Sequence, residues 1–148
     1  MPGTVTPGTV TPDSQGLLDT STLILLGRLE DPTVLPDEPL ISAVTLAELS
    51  VGPLVARTPK EQAHRQAHLQ QAEADFQPLA FGAAEARAFG QVAASLRRRG
   101  RKPAARAFDA MIAAVAVANE LPLYTCDPEG FSGIDGLHVV SVPHPDRH

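Results

Sequence analysis

The chain reads as an α/β protein, a three-layer α/β/α arrangement around a mostly parallel sheet, on three observations. Short apolar segments alternate with stretches of helical periodicity, as they do where strands are joined by helical crossovers. The helical stretches carry their own start and stop signals, among them Thr58-Pro59-Lys60-Glu61 and Gly100. And 148 residues, 43% of them hydrophobic and 20% charged, make one globular domain with a real core rather than two.

Each element can be justified in turn. Gly16 to Asp19 is a short apolar run ending in an acid, and Thr22 to Leu29 carries leucines at helical spacing that stop before Asp31-Pro32. This predicts strand, turn and helix. Leu40 to Val44 is β-rich and follows the Pro36 to Pro39 breaker, after which Thr45 to Val51 reads as a short helix closed by Gly52-Pro53. The capping-box residues Thr58 and Glu61, with proline at the first helical position, predict a helix from Pro59 to about Ala74. Phe76 to Ala80 is a candidate strand, and the Ala-rich stretch Ala83 to Arg99 a long helix ended by Gly100. Pro103 opens a helix running to about Asn119 with Phe108, Met111, Ile112 and Val115 as its apolar stripe. Leu123 to Thr125 and Leu137 to Val142 are the last strands, with a short turn over Glu129 to Ser132.

Composition narrows the function. Twelve Lys and Arg against seventeen Asp and Glu give a net charge of -5, which disfavours a partner held by a uniformly basic surface. A single cysteine, Cys126, excludes an internal disulfide and a cysteine-based zinc cluster, and fits a reducing compartment. No apolar run approaches a membrane span, and the N-terminus has neither the positive start nor the apolar stretch of a signal peptide, so a cytoplasmic protein is expected. PGTVT occurs twice in tandem at Pro2–Thr6 and Pro7–Thr11, offering little to bury. The expected organisation is a disordered extension over 1–15, a folded unit over 16–142 and a polar tail over 143–148.

In such a sheet ligands bind outside the carboxyl ends of the strands. The pattern delivers four acids there: Asp19 at the end of the first strand, Glu48 just after the second, Asp109 in the first turns of an otherwise apolar helix, and Asp127 directly after LYT. Four clustered carboxylates repel one another and raise each other's pKa values unless a cation lies between them. Hard oxygen ligands suit Mg2+, with Mn2+ an alternative, and the chemistry served by such a site is hydrolysis of a phosphodiester by metal-activated water.

With these residues the sequence becomes recognisable. LLDTSTL, SAVTLAELSVG and RAFDAMIAAVAVANELPLYTCD, in this order and at these spacings, resemble the PIN-domain ribonucleases, in particular the VapC-type toxins of bacterial toxin–antitoxin pairs, over residues 16 to 142. The resemblance implies a PIN-like fold and makes Asp19, Glu48, Asp109 and Asp127 the metal-binding, catalytic acids. It implies Ser21 as a hydroxyl orienting the first acid or a metal-held water, and Thr125 as a polar neighbour of the fourth. The implied activity is magnesium-dependent endonucleolytic cleavage of RNA leaving a 5′-phosphate and a 3′-hydroxyl. The implied assembly is a homodimer inhibited by a small VapB-like antitoxin, whose cationic side chain could replace the metal. Many relatives carry an acid just before the phenylalanine that follows the fourth site; here TCDPEGF places Gly130 there, after Glu129.

Other features weigh less. Arg97, Arg98, Arg99, Arg101, Lys102 and Arg106 concentrate half of the cations in ten positions, more than the complement of a helix C-terminus requires, and are candidate contacts for RNA phosphates. One tyrosine, five phenylalanines and no tryptophan argue against a base-stacking platform. His64 and His68 have a zinc-compatible spacing but no HExxH glutamate or third ligand, and are read as structural or solvated. Cys126 lacks a dedicated histidine base, and no Gly-rich phosphate loop is present. A PIN-like module that binds protein or RNA without turnover is the competing reading; a phosphoacceptor domain built on Asp19 lacks the second acid and lysine it would need.

Overall fold

The structure, a computed structural model, describes residues 14–146; the PGTVT repeats lie outside the described residues. Four strands, β1 (Gln15–Leu18), β2 (Glu38–Leu40), β3 (Leu123–Thr125) and β4 (Val139–Ser141), form an all-parallel sheet in the order β2-β1-β3-β4. Five helices connect them: α1 (Thr20–Ile24), α2 (Ala43–Leu54), α3 (Pro59–Asp75), α4 (Ala83–Arg98) and α5 (Ala107–Ala118). No helix among the described residues is long and apolar enough to cross a membrane.

The alternation of a β-strand sends Leu17 and Leu18 to opposite faces, and each anchors its own core. Leu17 packs with Val92 and Leu96 of α4, Ile112 and Val115 of α5, and Leu123. Leu18 packs with Ile41, Leu49 of α2 and Ala72 of α3. The sheet is thus covered on both sides, and each fully buried leucine contributes about 1.5–3 kcal/mol. Parallel strands with both faces covered need apolar residues at consecutive positions, which GLL and LYT supply.

Several boundaries differ from the sequence expectation. The helix expected over Thr22–Leu29 is the short α1 followed by a 3-10 turn, Leu26–Arg28, because from Leu25 onward the amide turns to the tighter bond with Thr22 O (3.1 Å). The β-rich Leu40–Val44 divides: Ser42 caps α2 by accepting from the amides of Val44 (3.1 Å) and Thr45 (3.3 Å), so Ala43 is already helical. Gly52-Pro53 does not end α2, which runs to Leu54; in the last turn proline forfeits a single bond, and Arg65 of α3 donates to the Gly52 carbonyl at 3.0 Å. Phe76–Ala80 is no strand. Leu79 makes one parallel bridge with Ser42, and because the backbone beyond Ser42 enters α2, the pairing cannot extend.

The cap of α3 forms as expected at Thr58 Oγ1, which accepts from Glu61 N at 3.1 Å, while the Glu61 carboxylate reaches the amide of Arg57 rather than Thr58 (3.2 Å). The last helix begins as a 3-10 turn, Pro103–Arg106, and its buried side is the small-residue run Ala110 and Ile112–Ala116; Phe108, expected in the stripe, is 43% exposed. In the tail, Asp146 pairs with Arg28.

Candidate metal and catalytic site

β1 and β3 lie side by side at the centre of the sheet, so the residues leaving their carboxyl ends are neighbours. Asp19 is only 3% exposed and caps α1 by accepting from Thr22 N at 3.1 Å through Oδ1. Capping therefore occupies one oxygen. The other, Oδ2, accepts from Ser21 Oγ (3.2 Å) and from Thr125 Oγ1 (2.8 Å), two donors from different elements. Thr125 is fully buried and its hydroxyl also accepts from the amide of Asp127 at 2.9 Å. One hydroxyl thereby couples the first acid to the backbone that carries the fourth. Thr22 Oγ1 ties the same corner by accepting from Cys126 N at 3.0 Å.

Glu48 comes from the second turn of α2 and is half-buried. Thr20 Oγ1 donates to its Oε1 at 2.6 Å and lies 3.0 Å from Thr45 Oγ1. Burial raises its pKa above the ordinary carboxylate value; the Thr20 hydrogen bond opposes this, and the negative charges of Asp109 and Asp19 add to it. Asp109, in the first turn of α5, is likewise raised, first by burial and then by Asp19, with Arg106 acting in the opposite direction and Asp127 adding to the rise. The four acids therefore share one electrostatic neighbourhood. Arg106 Nη1 lies 3.4 Å from Asp109 Oδ2 and 3.3 Å from Asp127 Oδ2, bridging the two.

Half-buried carboxylates held above their ordinary pKa are short of positive charge, and an all-oxygen donor set suits a hard divalent cation. Among the described residues no three His, Cys, Asp or Glu side chains are already placed to enclose a metal. The donor set fits a cation held through one or two carboxylates and water, the mode magnesium favours, rather than an all-protein cage.

The PIN domain family model matches residues 17–137. The chain belongs to the PIN-domain family. It is 37% identical over 134 residues to Ribonuclease VapC5 of Mycobacterium tuberculosis, covering 89% of this chain and 96% of that protein. Among solved structures it is similar to the VapBC-5 toxin–antitoxin structure from Mycobacterium tuberculosis (TM-score 0.74, 34% identity, 87% of this chain and 99% of that one). VapBC2 from Rickettsia felis, solved bound to a promoter DNA fragment, shares the fold at 19% identity (TM-score 0.70, covering 86% and 98%).

The basic run of this PIN domain is divided by the fold. Arg98 pairs with Asp135, Arg101 donates to the Ser132 carbonyl (2.9 Å) and hydroxyl (3.2 Å), and Arg106 turns to the acids; Arg97, Arg99 and Lys102 are exposed. His64 and His68 face each other on α3 with their Nε2 atoms 3.2 Å apart, and His68 is shifted down by burial and then by His64. They line an apolar cleft with Leu23, Leu26, Leu49 and Phe76, and His68 also borders the smaller pocket that Thr20 and Glu48 line. Sequence reasoning missed Thr45 and the bond from Thr20 to Glu48. A hydroxyl three positions before an acid is common, and only the contact of α1 with α2 gives these their meaning.

Proposed function

We propose that this PIN domain is a magnesium-dependent endoribonuclease and the toxin of a type II toxin–antitoxin pair, with Asp19, Glu48, Asp109 and Asp127 as its acidic site. The observation that supports the reading is the electrostatic coupling of Glu48, Asp109 and Asp127, drawn from separate elements, with one another and with a buried Asp19 fixed by three donors. A carboxylate so fixed cannot rotate away from its task, and no step has to reorient it. Thr125 holds Asp19 and the Asp127 backbone in one register, and Thr20 does the same for Glu48. Glu48 and Asp109 sit half-buried beside other carboxylates, a setting that favours capture of a cation. When bound, the magnesium would neutralise the scissile phosphate and activate the attacking water. Ser21 orients Asp19 from the solvent side, and the exposed Arg97, Arg99 and Lys102 supply phosphate contacts.

The likeness to a chain solved in a toxin–antitoxin structure supports a small VapB-like antitoxin as partner. The cleft between α1 and α3 opens beside a smaller one lined by Thr20, Glu48 and Leu49, so an apolar segment lying in the first can bring a cation to the acids. A homodimer in the cytoplasm is the assembly that goes with this reading.

The test is cleavage of RNA by the purified protein with magnesium, with a chelator, and after magnesium is restored. Cleavage should require the metal, and both Asp19→Asn and Asp109→Asn should abolish it while leaving the circular dichroism spectrum unchanged. Wild-type-like cleavage by Asp19→Asn would refute the assignment, and a wild type that binds RNA without cutting it would make the domain a binding module.

A further inference from the structure

We propose that Arg106 is a positioning residue of the acidic site: its guanidinium is a built-in counter-ion that spans Asp109 and Asp127 in the metal-free protein and competes with the divalent cation for them. The inference rests on the metal-dependent reading above and adds an internal competitor to it. Arg106 stands at the junction between the 3-10 turn Pro103–Arg106 and α5, with φ −135° and ψ 50°, so the chain changes course at this residue. It precedes Asp109 by three positions, the spacing that places two helical side chains together, and one nitrogen, Nη1, serves both Asp109 Oδ2 (3.4 Å) and Asp127 Oδ2 (3.3 Å).

The space for this bridge comes from Gly130. A Cβ at that position would overlap Arg106 Nη1 and come within 2.9 Å of Asp127 Oδ2, so the residue that lacks a side chain is the one over which the guanidinium lies. The neighbouring cations are not substitutes: Arg101 is held at Ser132 and Arg98 at Asp135. The bridge is also built to yield. Both contacts are long for charge-assisted bonds, and the three side chains are 48%, 34% and 49% exposed, so the pair is hydrated and weak. A divalent ion brings twice the charge to the same oxygens. Arg106 thus keeps Asp109 and Asp127 facing one another when no metal is bound, and gives them up when one arrives.

Titrating the full-length protein with Mn2+ or Mg2+ in a calorimeter, without RNA, reads this directly. Arg106→Ala should bind the metal about tenfold tighter, as expected from removing one charge a few ångströms from the site at high effective dielectric. Arg106→Lys keeps the charge and should stay within about twofold of wild type. Arg106→Gln removes the charge but keeps most of the side chain, and should shift affinity in the same direction as Arg106→Ala, which keeps the inference testable if Arg106→Ala does not fold. Unchanged or weaker binding in Arg106→Ala, or in Arg106→Gln where that variant has to decide, overturns the inference. A wild type that binds no metal overturns both this and the proposed function; a wild type that binds metal without cleaving RNA overturns only the ribonuclease reading.

Discussion

Thr125→Val removes one hydroxyl from a fully buried side chain and replaces it with a methyl group. That hydroxyl donates to Asp19 Oδ2 at 2.8 Å and accepts from the amide of Asp127 at 2.9 Å. A hydrogen bond to a charged carboxylate contributes about 1.5–3 kcal/mol, and a partly buried amide left without its acceptor adds about 1 kcal/mol. Asp19 keeps Thr22 N and Ser21 Oγ, so its charge is not stranded and the loss stops there. The expected cost is about 2–4 kcal/mol, which in a domain of this size lowers Tm by about 5–10 °C. Thermal and urea unfolding of the chelated protein would measure it, with Thr125→Ser as the control that keeps the hydroxyl. Thr125→Ser should recover most of the loss. A Thr125→Val protein within about 0.5 kcal/mol of wild type, or a Thr125→Ser protein equally destabilised, would refute the claim that this hydroxyl couples the two acids.

Glu48 and Asp109 have folded pKa values raised chiefly by burial, so the stability they contribute is full below the ordinary carboxylate range and is lost as pH rises through their raised values. Added magnesium should therefore raise Tm more at about pH 7 than at about pH 5, and Glu48→Gln should shrink that difference; a pH-independent increment would contradict it. Gly16→Ala should destabilise the fold by about 1–3 kcal/mol in urea unfolding, because the added Cβ comes within 2.6 Å of Tyr124 Cδ1 and 3.1 Å of Pro36 Cβ on a central strand. Stability equal to wild type would mean that the Tyr124 ring moves aside freely.

The parallel sheet and the positions of Asp19 and Asp127 were legible in the sequence because strand ends follow from apolar runs stopping at an acid. Asp109 was legible for the same reason in reverse, an acid inside an apolar helix. What could not be read was anything decided by two distant segments at once. Phe76–Ala80 has strand composition, yet the backbone it meets among the described residues turns into α2 after Ser42, so it pairs once and stops. Phe108 fits the apolar stripe by spacing, but the core on that side is already filled by alanines and Ile112, and the first turn of α5 projects to the rim. Arg106 stands in the basic run and its three-residue spacing to Asp109 already suggests that pair; that it also reaches Asp127 depends on the bend before α5 and on the absence of a side chain at Gly130.

One of the three hydrogen bonds that fix Asp19 joins residues 106 apart in the chain, and β3, which carries its donor, must pair with β1 before the bond can exist. During synthesis Asp19, Glu48 and Asp109 all emerge before β3, so a nascent or prematurely terminated chain holds three of the acids without Thr125, Asp127 or the strand that carries them. For a protein proposed to cut the RNA of the cell that makes it, that order of emergence leaves the acidic site incomplete until β3 has paired with β1.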